Sequence, residues 1–306
     1  MTKDDTELRA LSTVNDSALV KPDALATLQQ EVYNRLNDYS AAAALGISMM
    51  DTPDGTPFPI LVTDDQGSGQ GVAENAADRD TGPLSFTRTY LGAHKTTAHV
   101  PISSEVMTDN NVMNFMDYIS MILAEAAARR IDPFIFNGTG TGQPRGFVQD
   151  LRTHAMGANP TPTALHEATL QLNSAAYRTG EKEFLAWGMA KETYHRITTN
   201  AFGSQAGPAA TAEAQALSDD DPNMLWGYPV IFSDHFPSLT GTTASGTRWG
   251  VFGNFKRAVV ARKVGNIAIA SETPDAFASD QTEVRVTVRF DSRVRDINAA
   301  RALTVS

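Results

Sequence analysis

The 306-residue sequence contains no cysteine, and this absence excludes several classes of protein. Without thiols the chain cannot form disulfides, use a thiolate nucleophile, or bind zinc or an iron–sulfur cluster through cysteine. No apolar run approaches the roughly 18 residues that a membrane-spanning helix requires. The polar start, Met1-Thr2-Lys3-Asp4-Asp5, does not resemble a signal peptide. The sequence is therefore typical of a protein made in a reducing compartment, with no membrane partner.

Positive charge is also scarce. The chain has 25 Lys and Arg residues against 35 Asp and Glu, which gives a net charge of −10 and a pI near 5.0. A basic surface that wraps nucleic acid is therefore not expected. Weak repulsion would still allow the protein to line a compartment that contains DNA, because the contents would not adhere to the wall.

Recognisable catalytic motifs are missing as well. The six histidines show no HExxH spacing, and no Gly-x-Ser-x-Gly elbow occurs. Gly138–Gly142 resembles a phosphate cradle, but it lacks the Gly-Lys-Ser/Thr ending and follows a helix, so a structural hinge is favoured. Asp219–Asp221 has the chemistry of a hard-cation site, although a solvated loop end is favoured. We expect no catalytic, cofactor-binding or metal-binding residues, no cofactor, and no enzymatic activity.

The most informative stretch is Ser103–Phe147. Its pattern predicts a helix that begins at Thr108 or Asp109, ends at Pro133, and is roughly 33 Å long. Arg129 and Arg130 are expected in the last turn, where positive charge suits the helix dipole. The predicted apolar face comprises Val112, Phe115, Met116, Ile119, Ile122, Leu123, Ala126 and Ala127. A glycine-rich turn, residues 137–147, follows the helix.

The region before this helix predicts an arm, a helix and a ribbon. Residues 1–20 are polar and unpatterned. A helix is expected from Pro22 to near Gly46, with Leu25, Leu28, Val32, Leu36 and Tyr39 on one face. Phe58–Val62 predicts a strand, and Thr63–Gly82 a glycine-rich excursion. Leu84–Leu91 and Thr96–Ile102 predict two further strands, which would pair as a ribbon projecting from the body and would need a partner surface.

The region after the turn alternates between helix and strand signals. Helices are expected at Thr163–Tyr177 and Lys191–Thr198, and a low-complexity loop at Phe202–Asp221. Strands are expected at Phe184–Ala190, Tyr228–Ser233, Arg248–Phe252, Ala258–Arg262 and Ile267–Ala270. The clearest strand has Val284, Val286, Val288 and Phe290 on one face, and Ala299–Val305 is predicted to pair with it.

Five segments, taken in order, resemble one family over about residues 20–306. They are Val72–Asn75 leading to Phe86–Arg88, Val100–Asp109, Asn137–Gly146, Leu225–Val230 followed by Ser233-Asp234 and Pro237, and the closing segments at Gly253–Phe255, Val286–Asp291, Ala299 and Leu303. Together they are similar to the major capsid proteins of tailed bacteriophages with the Hong Kong 97 fold. Each match is weak alone, but their shared order makes the resemblance specific.

The resemblance implies an α+β fold of the Hong Kong 97 type. That fold has an N-terminal arm, an extended loop formed by a two-stranded ribbon, a peripheral domain with a long spine helix, and a mixed α/β axial domain. The implied boundaries are 1–46 for the arm and first helix, 47–62 and 99–149 for the peripheral domain, 63–98 for the extended loop, 150–270 for the axial domain, and 271–306 for the return strands of the peripheral domain.

The implied function is a major capsid protein that assembles with itself into pentamers and hexamers of an icosahedral virion shell around double-stranded DNA. Assembly would take place in the host cytoplasm. The resemblance also implies a portal, a maturation protease, possible decoration proteins and, because only about twenty residues precede the first helix, a separate scaffolding protein. The alternative is an encapsulin-like nanocompartment that encloses cargo enzymes. A soluble hydrolase or nucleotide-binding enzyme is a third hypothesis, which would require a clustered polar site.

Some members of this family join their subunits by a Lys–Asn isopeptide bond. Lys95 is the only lysine between Lys21 and Lys182, and the expected acceptor region offers Thr282–Val284 without an Asn. We therefore expect no cross-link and no ladder of multiples on a denaturing gel. We also expect Asp219–Asp221 to form a like-charged ring at the capsomer axis, and deletion of Gly67–Asp80 to leave a folded chain that assembles poorly.

Overall fold

The computed structural model describes residues 29, 31–32, 35–36, 39–63, 86–103, 115–157, 160, 162–172, 185–198, 223–272 and 281–306. The helices among them are α1 (Ala41–Ala44), α2 (Phe115–Asn137), α3 (Phe147–Asp150), α4 (Pro162–Leu172), α5 (Lys191–Thr198) and α6 (Phe255–Ala258). The strands are β1 (Ser48–Thr52), β2 (Phe58–Thr63), β3 (Phe86–Leu91), β4 (His94–Ser103), β5 (Arg152–Met156), β6 (Leu185–Met189), β7 (Met224–Leu225), β8 (Tyr228–Phe232), β9 (Arg248–Asn254), β10 (Val259–Val264), β11 (Ala268–Glu272), β12 (Gln281–Val294) and β13 (Ala300–Val305).

The first sheet is organised around the 14-residue strand β12. Strands β10 and β11 follow one another along one edge of β12, and β4 pairs with the opposite edge, so that Phe290 lies between Lys263 and His94. Strand β1 extends the sheet by pairing in parallel with β10. The apolar face predicted for β12 is buried throughout (Val284, Val286, Val288 and Phe290).

Helix α2 packs against this sheet and supplies much of the core. Its 23 residues span about 35 Å at 1.5 Å per residue. Buried positions recur every four residues, as expected for one face of a helix, at Ile119, Leu123, Ala127, Ile131 and Ile135. Ile122 and Ala126, which were predicted for the same face, are only partly buried. The predicted helix start at Thr108 or Asp109 lies outside the described residues.

The predicted helix end at Pro133 is wrong, because α2 continues through this residue to Asn137. Proline removes one backbone donor from the helix, which weakens it without always ending it. Here the following turn is stabilised by packing, since the ring of Phe136 lies 5.0 Å from that of Phe147 and 5.2 Å from that of Phe236. Arg129 and Arg130 therefore lie about two turns before the helix end and not in its last turn.

The second sheet has the strand order β5-β13-β9-β6-β8-β7. Strand β13 pairs antiparallel with β9 and parallel with β5. The prediction that Ala299–Val305 pairs with the Val284–Phe290 strand is therefore wrong. Both edges of β12 are already occupied over most of its length, and nearly all of β13 is buried, as suits a strand inside a sheet. The core of this sheet includes Trp187, Trp249 and Phe252.

The ribbon consists of β2 and β3, which pair antiparallel from Phe58 opposite Leu91 to Thr63 opposite Phe86. The prediction that residues 84–91 pair with residues 96–102 is therefore wrong. Strand β4 instead pairs with β12 along its whole length of ten residues. Only Gly92 and Ala93 separate β3 from β4, and the Gly92 N–H donates to the Asp291 carboxylate on β12. This bond directs the chain into the first sheet immediately after the ribbon.

Among the described residues before β1, the helical region is interrupted at Ser40. Residues 29, 31–32, 35–36 and 39 are helical, and Val32 and Leu36 are buried as predicted. Ser40 then adopts an extended conformation and caps α1 by accepting a hydrogen bond from the Ala43 N–H. The chain turns at Gly46, with φ of +78°, close to the predicted helix end. Tyr39 is 41% exposed, so its predicted place on the buried face is wrong.

The other predicted elements are confirmed where the structure describes them. Residues 191–198 have the predicted helical bounds, and the predicted strands at 58–62, 184–190, 228–233, 248–252, 258–262 and 267–270 differ from the observed ones by a few residues at most. The sequence reasoning missed the strands β1, β5 and β7 and the short helices α3 and α6. Predictions for residues 1–28, 64–85, 104–114, 173–184 and 199–222 lie outside the described residues.

Candidate functional site

The glycine-rich turn after α2 is a closed loop held by backbone hydrogen bonds. The Gly138 N–H donates to the Phe134 carbonyl, and the Gly146 N–H donates to the Gly138 carbonyl at 2.8 Å. The two ends of the turn approach so closely that a Cβ on Gly146 would overlap the Phe136 carbonyl oxygen. Glycine is therefore required here by the close approach of two backbone segments.

These hydrogen bonds also bear on the phosphate cradle considered from the sequence. A cradle needs several backbone N–H groups aimed at one anion. In this turn the N–H groups of Gly138, Gly140 and Gly146 donate to carbonyls, and that of Thr141 donates to the Thr139 hydroxyl. The donors are thus used inside the turn, which supports the structural hinge.

An ion pair closes the end of the turn that leads into α3. The Arg145 Nε lies 2.6 and 2.8 Å from the two Asp150 carboxylate oxygens. Hydrogen bonding and charge from Asp150 raise the pKa of Arg145 above its ordinary value. Because both groups are accessible to water, we regard the pair as a determinant of geometry more than of stability.

The ribbon has two faces of different character. Residues opposite each other in an antiparallel pair share a face. On the inner face, Ile60 and Leu91 are buried and cluster with Val260 of the first sheet. On the outer face, Leu61 is 59% exposed opposite Arg88, and Phe86 and Tyr90, 55% and 48% exposed, lie on either side of Arg88 along β3. We refer to Leu61, Phe86 and Tyr90 as the outer apolar patch.

A groove of about 660 Å³ runs between α2 and β4. Arg129 pairs with Glu125 at 2.5 Å, and the His99 Nδ1 lies 2.8 Å from a carboxylate oxygen of Glu283. Ile122 contributes an apolar side chain to the lining of the groove. Within the described part of the chain, no strand pairs with the outer edge of β4. The groove is thus an open, mixed-charge surface beside a strand edge.

The model of the phage capsid family matches residues 24–305. The chain belongs to the phage capsid family. It is therefore a capsid shell protein, and this structural family accounts for the order of segments in the sequence. The encapsulin-like alternative is not favoured. Membership also places the protein in the virion.

Solved structures of capsids share the fold. The chain resembles the capsid of a native GTA particle with a TM-score of 0.60 and 18% identity, over 87% of this chain and 90% of that one. The capsid protein of Gordonia phage Cozz gives 0.57 and 15%, over 87% and 86%. That of the cyanophage P-SCSP1u gives 0.51 and 15%, over 85% and 86%. No curated protein matches the chain.

This capsid protein also contains a buried carboxylate that the sequence did not reveal. Asp132 on α2 accepts hydrogen bonds of 2.7 Å from the Ser40 hydroxyl and the Ala41 N–H. Burial raises the pKa of Asp132 above its ordinary value of 3.8, although these hydrogen bonds and the charge of His235 oppose the shift. Asp132 thus connects α2 to the start of α1.

The residues considered for cross-linking lie apart, on strands β4 and β12. Lys95 is exposed on β4 opposite Arg289, and Glu283 of β12 lies opposite Pro101. Among the described residues, no group of three or more His, Asp or Glu side chains is arranged to hold a metal ion. No helix in the described part of the chain has the length and apolar character needed to cross a membrane. Asp219–Asp221 lies outside the described residues.

Proposed function

We propose that this chain is the repeating subunit of an icosahedral shell of pentamers and hexamers that encloses packaged double-stranded DNA. The observation that carries the proposal is the outer apolar patch. Three large apolar side chains share one face of a two-stranded ribbon with Arg88, and the described residues of the same chain leave them about half exposed. Such patches mark surfaces that contact another molecule.

The form of the ribbon supports a neighbouring subunit as that molecule. A two-stranded ribbon is marginally stable in water by itself and gains stability when one face packs on another surface. Its inner face near the body is already covered by Val260. The outer face is available to a second copy, and copies related by symmetry would bury the same patch at every contact. Many such interfaces give a durable shell without any single tight one.

The strand pairing supports a modified division into domains. The peripheral domain would contain α2 and the whole first sheet, including β10 and β11. The axial domain would contain the second sheet, and with it β13. The extended loop would begin at Phe58 and end at Leu91, with residues 64–85 between the two strands. The boundaries 63–98, 150–270 and 271–306 expected from the sequence would change accordingly.

Further partners follow from the same proposal. The subunits would assemble in the host cytoplasm with a separate scaffolding protein, a portal and a maturation protease, and decoration proteins would bind outside. The acidic chain, with a net charge of −10, would contain DNA without binding its sequence. The absence of a covalent cross-link and the ring of aspartates at residues 219–221 remain predictions.

Electron microscopy of the purified protein tests the proposal. We expect the purified protein to form closed shells of uniform size. Shells isolated from infected cells are expected to contain DNA. Monomers or irregular aggregates at every concentration and salt would contradict it. Particles that contain protein cargo in place of DNA would indicate the encapsulin-like alternative, and turnover of a hydrolysable substrate by unassembled subunits would indicate an enzyme.

A further inference from the structure

Arg262 on β10 is a charged side chain in an unusual place. It is 1% exposed, although a buried charge is costly unless hydrogen bonds satisfy it. Among the described residues its one carboxylate pair is a long one, since Asp54 Oδ1 lies 3.9 Å from Nη2 on a largely exposed side chain. The position of Arg262 therefore needs another explanation.

Its hydrogen bonds provide one, because all three guanidinium nitrogens are donors. Nε donates to the Thr52 hydroxyl at 2.7 Å, and Nη2 donates to the Asp54 carbonyl at 2.7 Å. Nη1 donates to the carbonyls of Thr56 at 2.8 Å and Leu91 at 3.0 Å. The guanidinium group is thus bonded to one hydroxyl oxygen and to three backbone carbonyl oxygens.

These acceptors belong to two segments that are far apart in sequence. Residues 52–57 lead into β2, and residues 91–93 lead out of β3. Together they form the two connections of the ribbon to the body, which we call the ribbon root. A single guanidinium group therefore bonds both connections at once, and its carbon atom also lies 5.7 Å from the ring centre of Phe58, the first residue of the ribbon.

Strand β12, which pairs with β10, also contacts the ribbon root. The Asp291 carboxylate, 1% exposed, accepts a hydrogen bond of 2.6 Å from the Gly92 N–H and another of 2.9 Å from the Ser292 N–H. The guanidinium group of Arg289 lies directly against Gly55, where a Cβ would overlap it. Each connection is thus contacted by two charged side chains of the first sheet.

We propose that Arg262 is a positioning residue that fixes the angle at which the ribbon leaves the first sheet. A planar guanidinium group has donors in fixed directions, so it can set the relative position of several acceptors in a way that a flexible ammonium group cannot. The ribbon cannot tilt as a unit without breaking bonds from Arg262 to one connection or the other. The importance of this angle for shell formation rests on the proposed function, whereas the role of Arg262 in setting the angle does not.

The lack of cysteine makes the angle measurable. Spin labels are attached to Leu61→Cys on the ribbon and Arg129→Cys on α2, both exposed, and the distance between them is measured by pulsed electron resonance on unassembled subunits. The variants are Arg262→Met, which removes the donors, and Arg262→Lys, which retains the charge without the planar fork. Arg257→Met is the matched control, since it removes an arginine that pairs with Asp296 at 2.8 Å in the same part of the chain.

We expect a single narrow distance distribution in the parent protein and in Arg257→Met. In Arg262→Met the narrow peak should be lost, and in Arg262→Lys it should shift or broaden while far-ultraviolet circular dichroism stays unchanged. If Arg262→Met does not fold, Arg262→Lys decides the question. A folded Arg262→Lys with the parent distribution, or the same broadening in Arg257→Met, would overturn the proposal. Shell formation is scored separately, so failure of the parent protein to form shells would count against the proposed function and leave the distance result intact.

Discussion

The body and the ribbon bury their apolar side chains in different ways. In the body, Leu123 and Trp187 are completely buried by residues of the same chain. In the ribbon, Leu61 and Phe86 are 59% and 55% exposed. Because burial of apolar surface is the main favourable contribution to folding, the body can be stable as a single subunit. The outer face of the ribbon gains this contribution only when another molecule covers it.

The boundary between these behaviours lies within the ribbon itself. Ile60 on the inner face is buried against the body, whereas its neighbour Leu61 on the outer face is the most exposed residue of the patch. Successive residues of a strand point to opposite faces, so one strand can belong to both environments. The ribbon is therefore part of the subunit on one side and part of the interface on the other.

The comparison predicts that a core truncation in the body has the largest effect on the subunit. Leu123→Ala should lower the free energy of unfolding by about 2–5 kcal/mol, because it removes buried methyl groups and leaves a cavity. Urea denaturation of unassembled subunits measures this value. Leu170→Ala, at a position 48% exposed on α4, is the control and should change the value by less than about 0.5 kcal/mol. Equal effects at the two positions would contradict the assignment of the core.

A substitution in the glycine-rich turn should lower the free energy of unfolding nearly as much. Gly146→Ala should cost about 3 kcal/mol of unfolding free energy, because the added Cβ would overlap backbone atoms of the turn. Gly142→Ala is the control, since no atom lies within 4 Å of the new Cβ and only the φ of +68° is unfavourable. That strain costs about 1 kcal/mol. Denaturation curves of both variants check the prediction, and a larger loss in Gly142→Ala would contradict it.

A smaller effect on the free energy of unfolding is expected from Asp132, the buried carboxylate that joins α2 to α1. Since the pKa of Asp132 is raised above 3.8, the folded state binds its proton more tightly than the unfolded state does. The resulting stabilisation is complete below the ordinary pKa and is lost as pH rises through the raised one. The stability of the parent protein relative to Asp132→Asn should therefore fall as the pH rises above about 4.

The free energies of unfolding of the parent protein and of Asp132→Asn are measured at a series of pH values, and the difference between them tests this prediction. Asp234→Asn, at an exposed position in the same loop as His235, is the control and should show no such trend. A difference that rises with pH would mean that hydrogen bonding, and not burial, dominates at Asp132.

The smallest effect on the subunit is expected for the outer apolar patch. Leu61→Ser combined with Phe86→Ser should change the free energy of unfolding by less than about 1 kcal/mol, because both side chains are already largely exposed in the subunit. Urea denaturation of unassembled subunits tests this prediction. A loss comparable to that of Leu123→Ala would show that the patch is covered within a single chain.

The sequence predicted the elements better than their pairing. The strand predicted from the period-two pattern of Val284–Phe290 is confirmed, and so is the helix at residues 191–198. Such patterns are reliable because the buried face of an element determines the spacing of its apolar residues. The same patterns do not contain the identity of the partner strand, which is why the pairings of β4 and β13 were wrong. Pro133 was interpreted as a helix end because the packing of Phe136, which stabilises the next turn, is a tertiary effect.

The features around the ribbon root were not predictable for a related reason. Composition shows that Arg262 and Asp291 are charged, but only the fold shows that both are buried and bonded to backbone groups of distant segments. Apart from the Thr52 hydroxyl, their partners are backbone carbonyl oxygens, which accept from Arg262, and backbone N–H groups, which donate to Asp291. Nearly every residue carries both groups. A sequence therefore gives no signal for such contacts. The family resemblance supplied the fold, but neither the pairing of β2 with β3 nor the way in which the ribbon is held.

Shell assembly by the Leu61→Ser and Phe86→Ser double variant tests the central claim most directly. The parent protein, the double variant and an Asp234→Asn control are compared under assembly conditions by electron microscopy and sedimentation. We predict shells from the parent protein and the control, and few or none from a double variant whose subunits are as stable as the parent. Normal yields of shells from that stable double variant would contradict the account.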